Sequence, residues 1–540
     1  MLRLVAAVLL AFCFTAQARD AVIAKQFMVA AAHPLAVEAG YAVLSRGGSA
    51  MDAAIAVQLV LGLVEPESSG IGGGAFLLYW SENEKKLRSY DGRETAPAAA
   101  RSDRFLNQDK KPLAFLDAAV GGQSVGVPGV LRMLELAHQR HGRLAWAELF
   151  RYAIDAAERG FEISPRLHAL LESERYLRDD AEAGKLYYAG KAAKPAGTRL
   201  VNAAYGATLR KIAREGAAAF YQGGIAADLV RAVRSNAKPG DLAAEDLAAY
   251  RALERDPVCG PYRQWRVCSM GPPSAGGIAV LQMLGMLERA GFARAPPHSA
   301  AAVHLFAEAG KLAFADRARY LGDPDFVPIP VSRLLNGKYL DQRAKLIGER
   351  AMHLAPPGDT EASGTSHFSI VDREGNVLAM TTTVESTFGS RIMVRGFLLN
   401  NELTDFDFVP GTANQVAPRK RPRSSMAPTV VFEAPDKVHM ALGSSGGPMI
   451  INYVAKVLVG TLDWGLDVQS AIALPNFGSR NGPTQLEQGS RYVALASELK
   501  RKNHEVEIVS LPSGVHAIER VANGWRGGAD PGREGIVKGR

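Results

Sequence analysis

Cysteine is almost missing from this chain: Cys13, Cys259 and Cys268 are the only three among 540 residues. An isolated pair with no further Cys or His at ligand spacing argues against a zinc site. Aromatic residues amount to 7% and are not interleaved with a basic stripe, so no nucleic-acid partner is expected. Neither sign of charge dominates, and the net charge of +8 is spread along the chain. The N-terminal apolar run, Leu4 to Phe14, is too short to span a bilayer, so no membrane span is expected. No internal repeat or low-complexity tract is present. The glycine cluster Gly70-Ile71-Gly72-Gly73-Gly74 lacks the Gly-Lys-Ser/Thr ending of a phosphate loop. It also precedes a strand instead of opening a helix, so close backbone packing is its expected role.

What remains is the composition of a large globular protein: 47% hydrophobic and 22% charged residues, enough chain to bury a substantial core. Met1-Leu2-Arg3, the apolar run and Ala16-Gln17-Ala18 have the basic, apolar and small-x-small order of a secretory signal peptide, residues 1–18. The mature chain then begins near Arg19 and is periplasmic or secreted. Cys13 leaves with the leader. Cys259 and Cys268 flank Gly260 to Val267, which reads as a tight hairpin, and an oxidising compartment allows the two to form a disulfide. Pro34 to Val64 predicts two helices with a break at Gly47-Gly48, and Gly129 to about Ala249 is mainly helical. Strand content concentrates after residue 365.

The most informative stretch is Gly364-Thr365-Ser366-His367-Phe368-Ser369-Ile370-Val371-Asp372. A polar, loop-like run, Ala355 to Gly364, precedes it. A turn at Arg373-Glu374-Gly375-Asn376 and a second β-rich run, Val377 to Val384, follow, which is a hairpin pattern. Thr365 therefore stands where a cuttable loop meets a rigid sheet. A threonine hydroxyl is a poor nucleophile without a base. Cutting the Gly364–Thr365 bond would supply one, because the new α-amine has a pKa near ~8 and can accept the hydroxyl proton. The simpler reading is that Thr365 only begins a strand.

Other constellations compete or assist. Arg93 lies on a turn leaving a strand and has the fork to bind a carboxylate at two points. The basic run Pro418 to Arg423 leads into Ser424-Ser425 and beside a site would draw anions. Gly443-Ser444-Ser445-Gly446-Gly447 fits a nucleophile elbow, with a strand at Val438 to Leu442 before it and a helix after it. An α/β-hydrolase would use Ser445 with Asp463 or Asp467 and His504 or His516. The alternative use of Gly446 and Gly447 is as backbone N–H donors to an oxyanion.

Taken together, Met28 to Trp80, Arg93 to Pro97, Lys311 to Pro330, Thr365 to Asp372, Phe388 to Asp405, Arg421 to Pro428 and Gly443 to Gly447 resemble the γ-glutamyltransferases of the N-terminal-nucleophile hydrolase superfamily. The resemblance covers nearly the whole mature chain. It implies an α+β fold, a four-layer αββα sandwich, and a precursor that cuts itself before Thr365. A large subunit, residues 19–364, and a small subunit, residues 365–540, would then remain associated as a heterodimer. It further implies Thr365 as processing and catalytic nucleophile, Thr383 as its hydrogen-bonding neighbour, and Gly446 and Gly447 as the oxyanion hole. Arg93, Ser424 and Ser425 would bind the donor's α-carboxylate, and Glu402 and Asp405 its α-ammonium. The donor would be glutathione or a related γ-glutamyl compound, the acceptor water or an amino acid or peptide amine. No metal or organic cofactor is implied.

Two departures affect specificity. Glu385 stands where an asparagine contacts the donor in other members, adding a carboxyl group to the donor site. Phe406 to Arg423 is short for a lid, so an open, lid-poor pocket is expected. Two further readings keep the fold: a cephalosporin (glutaryl) acylase, or an inactive secreted binding protein. Retention of both Glu402 and Asp405 favours a donor with an α-amino group.

Overall fold

A computed structural model describes residues 20–353 and 363–540. The expected leader and most of the polar run before Gly364 lie outside the described residues. Strands from both sides of the Gly364–Thr365 bond build two sheets. Before it come β1 (Val22–Ala24), β2 (Met28–Ala31), β3 (Gly74–Ser81), β4 (Lys86–Gly92), β5 (Leu253–Arg255), β6 (Val258–Tyr262) and β7 (Trp265–Ser269). Spanning or following it are β8 (Ser363–Val371), β9 (Val377–Ser386), β10 (Thr429–Ala434), β11 (Lys437–Gly443), β12 (His516–Val521), β13 (Gly524–Ala529) and β14 (Ile536–Gly539).

One seven-stranded sheet runs β14-β2-β8-β9-β3-β4-β5 and the other β1-β13-β12-β11-β10-β7-β6. Every pairing within them is antiparallel. Outside the polar central stretch of β8 and β9, the strands are largely apolar on both faces, because each sheet is covered twice. In β2, Met28 and Ala30 point into the layer between the sheets, whereas Val29 and Ala31 point at helices. Period-2 alternation therefore separates two cores and not a core from water. The inner layer joins Leu78, Trp80, Val377 and Ala379 of one sheet to Val430, Phe432, Ala441 and Ile518 of the other.

Helices close both outer faces. α1 (Pro34–Ser45), α2 (Ala50–Val64) and α3 (Val130–His141) cover the first sheet; α4 (Gly276–Arg289), α5 (Ala300–Tyr320) and α6 (Ile450–Leu462) cover the second. The expected break falls between α1 and α2, where Ser49 and Asp52 form a reciprocal cap. The fold is the four-layer αββα sandwich of the N-terminal-nucleophile hydrolases, in the α+β class. This overturns the α/β-hydrolase reading, which requires a largely parallel sheet with βαβ crossovers. Cys259 and Cys268 face each other across the β6–β7 hairpin, and the structure bridges them.

Trp80, 1% exposed, meets Phe432 edge-on across the inner layer at 5.0 Å between ring centroids. Trp80→Ala is expected to cost ~3–5 kcal/mol through the cavity it leaves. Urea denaturation reads this as a shifted midpoint; an unchanged midpoint would mean that the sheets collapse to refill the gap.

Candidate active site

β8 and β9 place Thr365 opposite Thr383, and the register slips between Gly364 and Thr365. The slip is a bulge at the end of the pairing, a device that re-aims side chains and backbone. Gly364 has no alternative there: a Cβ on it would stand 2.2 Å from the Glu67 carbonyl oxygen. Gly73 is equally constrained, with a Cβ position 2.0 Å from the Thr383 carbonyl, so the cluster 70–74 lets β3 pack close against β9 as expected.

A directed hydrogen-bond chain results. Thr383 Oγ1 donates to the Gly364 carbonyl at 2.6 Å and accepts from the Glu385 N–H at 2.8 Å. Its only proton is thus engaged, so the 3.3 Å contact between Thr365 Oγ1 and Thr383 Oγ1 is one in which Thr365 donates. The lone pairs of Thr365 Oγ1 stay available, and the Gly364 carbonyl is polarised. On the other side Arg533, buried, donates from Nη1 to the Thr365 carbonyl at 3.1 Å and from Nε to the Ser513 carbonyl at 2.8 Å. Ser366 Oγ donates to Glu65 at 2.7 Å. Nothing in the local sequence marked Arg533 or Glu65; both reach the site across more than a hundred residues of chain.

The second half of the site is ionic. Arg93, just past β4, is 1% exposed. Its Nη1 pairs with Glu402, its Nη2 with Asp405 at 2.5 Å, and its Nε donates to the Pro422 carbonyl at 3.1 Å. Glu402 and Asp405 are the ends of one 3₁₀ turn, Glu402–Asp405, in which positions i and i+3 eclipse, so both carboxyls face one guanidinium. Burial opposes the Arg93 charge, but Glu402 and Asp405 outweigh it and hold its pKa above the ordinary value. Three acids are raised as well, which for them favours the neutral form. Burial, only partly offset by Arg93, lifts Glu402 well above the usual carboxylate range and Glu94 to about 7. Burial and then Asp405 lift Glu385 to about 8, against a hydrogen bond from Asn401.

Arg93, Thr365, Thr383, Glu385, Glu402, Asp405, Ser424, Ser425 and Gly447 all line one cavity of about 30 Å³, completed by Met426, Pro448 and Ile450. Gly446 stands just outside that lining, with φ 122°, and Gly447 has φ 54°. Among the described residues, neither N–H donates to another group. No residue of 406–423 covers the cavity: Phe406 packs with Ala96, Phe105 and Val416 beside it. The open pocket expected from this short segment is not what the structure shows. Thr365 is only 2% exposed, and the cavity is far smaller than an ordinary ligand site.

The elbow triad is not assembled. Ser445 is fully buried with no hydrogen-bond partner for its hydroxyl. Asp463 binds Tyr262 and Arg263, Asp467 caps a short helix, and His504 bonds Thr484 and His304. His516 sits in β12 opposite Gly443. Among the described residues, one group has its donor atoms close enough to share a metal: His304, Glu308 and His504, within 4.8 Å of one another. Those donors already serve one another. Two neutral imidazoles carry a chain from Thr484 through His504 and His304 to the Gly348 carbonyl, while Glu308 binds Lys311 at 2.9 Å and the Met352 N–H at 2.8 Å. A cation there would have to displace the Lys311 ammonium, so the group reads as a clasp on residues 348–352.

Residues 36–539 match the family described as gamma-glutamyltranspeptidase. The chain belongs to that family. It is 35% identical to the glutathione hydrolase proenzyme of Bacillus subtilis (strain 168), over 96% of this chain and 92% of that protein. The acylase ACY 1 proenzyme of Pseudomonas sp. (strain SE83) is 34% identical, over 93% of this chain and 91% of that one. The crystal structure of a cephalosporin acylase from Bacillus halodurans superposes with a TM-score of 0.87 at 27% identity, covering 99% of both chains. As a γ-glutamyltranspeptidase-family member the chain is an enzyme of the N-terminal-nucleophile hydrolase type. Glutathione hydrolases and acylases both stand among its relatives, so the family alone does not define the acyl group. No helix among the described residues is long and apolar enough to cross a membrane.

Glu385 offers a direct test of the site's electrostatics. In the fold it keeps its proton up to about pH 8, whereas a free glutamate ionises near 4.5, so the wild type loses stability as pH rises through that window. Glu385→Gln does not titrate. Its melting temperature is expected to gain on that of the wild type between about pH 5 and about pH 8. A constant offset in melts across that range would show the carboxyl ionised throughout.

Proposed function

We propose that this enzyme is a self-cleaving γ-glutamyl hydrolase/transferase that uses Thr365 as its nucleophile. One observation carries the reading: the Thr383 hydroxyl donates to the carbonyl of Gly364 while leaving the lone pairs of Thr365 Oγ1 free. Thr365 Oγ1 adds to the Gly364 carbonyl carbon, the C–N bond breaks, and the nitrogen leaves as the protonated α-amine. Water then hydrolyses the resulting ester, giving a Gly364 carboxylate and a free Thr365 hydroxyl beside its own amine. Residues up to 364 and from 365 onward stay together, because both sheets interleave strands from the two parts.

In turnover the α-amine takes the hydroxyl proton and Oγ1 attacks the donor's γ-carbonyl. The N–H groups of Gly446 and Gly447, which engage no other described residue, stabilise the oxyanion. The leaving amine takes a proton, and water or an incoming amine then releases the acyl group from Thr365. Three acids, Glu385, Glu402 and Asp405, against a single lining arginine favour a donor that carries an ammonium beside its carboxylate. A glutaryl donor lacks that ammonium and would bring no cation of its own to face these carboxyl groups. Secretion to the periplasm or beyond, and glutathione as donor, complete the reading.

N-terminal sequencing of the purified protein should find two chains, one starting at Thr365, and Thr365→Ala should give one uncut, inactive polypeptide. A Thr365→Ala chain that still splits would overturn the proposal. Thr383→Val removes the donor to Gly364 and is expected to slow self-cleavage ~10²–10³-fold, the loss of one oxyanion-type donor. A gel time course of the precursor checks this. Turnover of γ-glutamyl anilide well above glutaryl anilide is expected; the reverse preference would make the enzyme an acylase.

A further inference from the structure

We propose that Arg317 is a positioning residue for the donor's α-carboxylate, acting through the hydroxyl of Ser425. The inference rests on the γ-glutamyl reading above and deepens it. Arg317 lies near the end of α5, and its Nη2 donates to Ser425 Oγ at 2.9 Å. Ser425 lines the cavity with Arg93 and Thr365. Because the guanidinium can only donate, Ser425 accepts, and its own proton stays free for another group. Among the described residues, no other group bonds that hydroxyl. Its proton is therefore available to an anion in the cavity, and a cation stands directly behind it.

The charges around the two arginines differ. Arg93 is paired with both Glu402 and Asp405. Arg317 has no carboxylate of the described residues within ion-pair distance, and its buried Nε has no hydrogen-bond partner. The charged groups that act on it are Arg423, whose Nη1 donates to the Arg317 carbonyl at 3.4 Å, with Asp405, Asp407 and Arg480. Asp407 is itself paired with Arg423 at 3.0 Å. The neighbourhood thus holds a guanidinium whose charge is unfavourable until an anion arrives. Burial and then Arg423 act in that direction, lowering its pKa. A carboxylate bound between Arg93 and Ser425 supplies the missing charge, and the Ser425 hydroxyl transmits the attraction as a charge-assisted donor.

A merely structural bond between α5 and the 424–428 segment would affect all substrates alike, which separates the two accounts. The assay compares a γ-glutamyl anilide with the same anilide whose α-carboxylate is a carboxamide, on wild type, Arg317→Gln, Arg317→Lys, Ser425→Ala and the double variant. Arg317→Gln is expected to raise KM for the carboxylate donor about 10- to 100-fold with kcat nearly unchanged, and to leave the carboxamide donor unaffected. Arg317→Lys should recover part of that loss. The double variant should be no worse than Ser425→Ala, because the two act as one unit. Equal losses on both donors, or additive losses in the double variant, would overturn the proposal. Should Arg317→Gln fail to fold, the same two donors measured on Arg317→Lys and Ser425→Ala decide it: a loss confined to the carboxylate donor supports it and an equal loss refutes it. A wild type that cleaves only glutaryl anilide would instead overturn the γ-glutamyl reading beneath it.

Discussion

Everything chemical in this protein depends on how β8 pairs with β9 at its first residues. The ladder is regular from Thr365 onward and slips by one residue at Gly364. That slip turns the Gly364 carbonyl toward the Thr383 hydroxyl, so one side chain both orients the threonine and polarises the bond before it. The arrangement survives because its surroundings over-determine it. Gly73 admits the Thr383 backbone, Gly364 admits the Glu67 carbonyl, and Arg533 holds Thr365 from the far side. These supports come from three separate parts of the chain. Strand pairing thereby becomes a precise holder for one peptide bond, on a sheet that is buried on both faces and has little freedom to move.

Electrostatics then narrows what this holder can act on. Buried acids around a single lining arginine hold protons they would lose in water, because burial disfavours their charge more than Arg93 favours it. On the proposed γ-glutamyl reading, the ammonium of the donor faces these acids and its carboxylate faces Arg93 and the Ser424–Ser425 corner. The cavity is small, so this match of charge is made with little water present and the interactions are correspondingly strong. Loss of a lid matters less than the sequence suggested, since Met426, Pro448 and Ile450 already wall the cavity.

Much of this was legible before any coordinates. The α1–α2 break, the β8–β9 hairpin, the paired cysteines and the strand–glycine–helix order around Gly446 all follow local rules: caps, turn residues and side-chain period. The same rules left two readings open at Ser445. A strand, a tight glycine turn and a helix suit a nucleophile elbow and a pair of backbone N–H donors alike, and local pattern does not distinguish them. Only the sheet around them does: it is antiparallel, and Ser445 is sealed inside with no acid–base partners. Pocket openness was misjudged for a related reason. Segment length says whether a lid exists but not how closely the walls stand.

Short-range order gave the local elements: a threonine after a glycine where a loop meets a hairpin, and a glycine pair between a strand and a helix. That Ser424, Ser425, Glu402 and Asp405 belong with them was implied by the resemblance to the γ-glutamyltransferases and not by any spacing. What the tertiary structure alone decided is who faces whom. Arg93 between two carboxyls, Arg533 on the Thr365 carbonyl, Glu385 holding a proton and Arg317 behind Ser425 are contacts between residues far apart in the chain. Their strength comes from removal of water, and desolvation is a property of the packed sandwich, not of any segment of it.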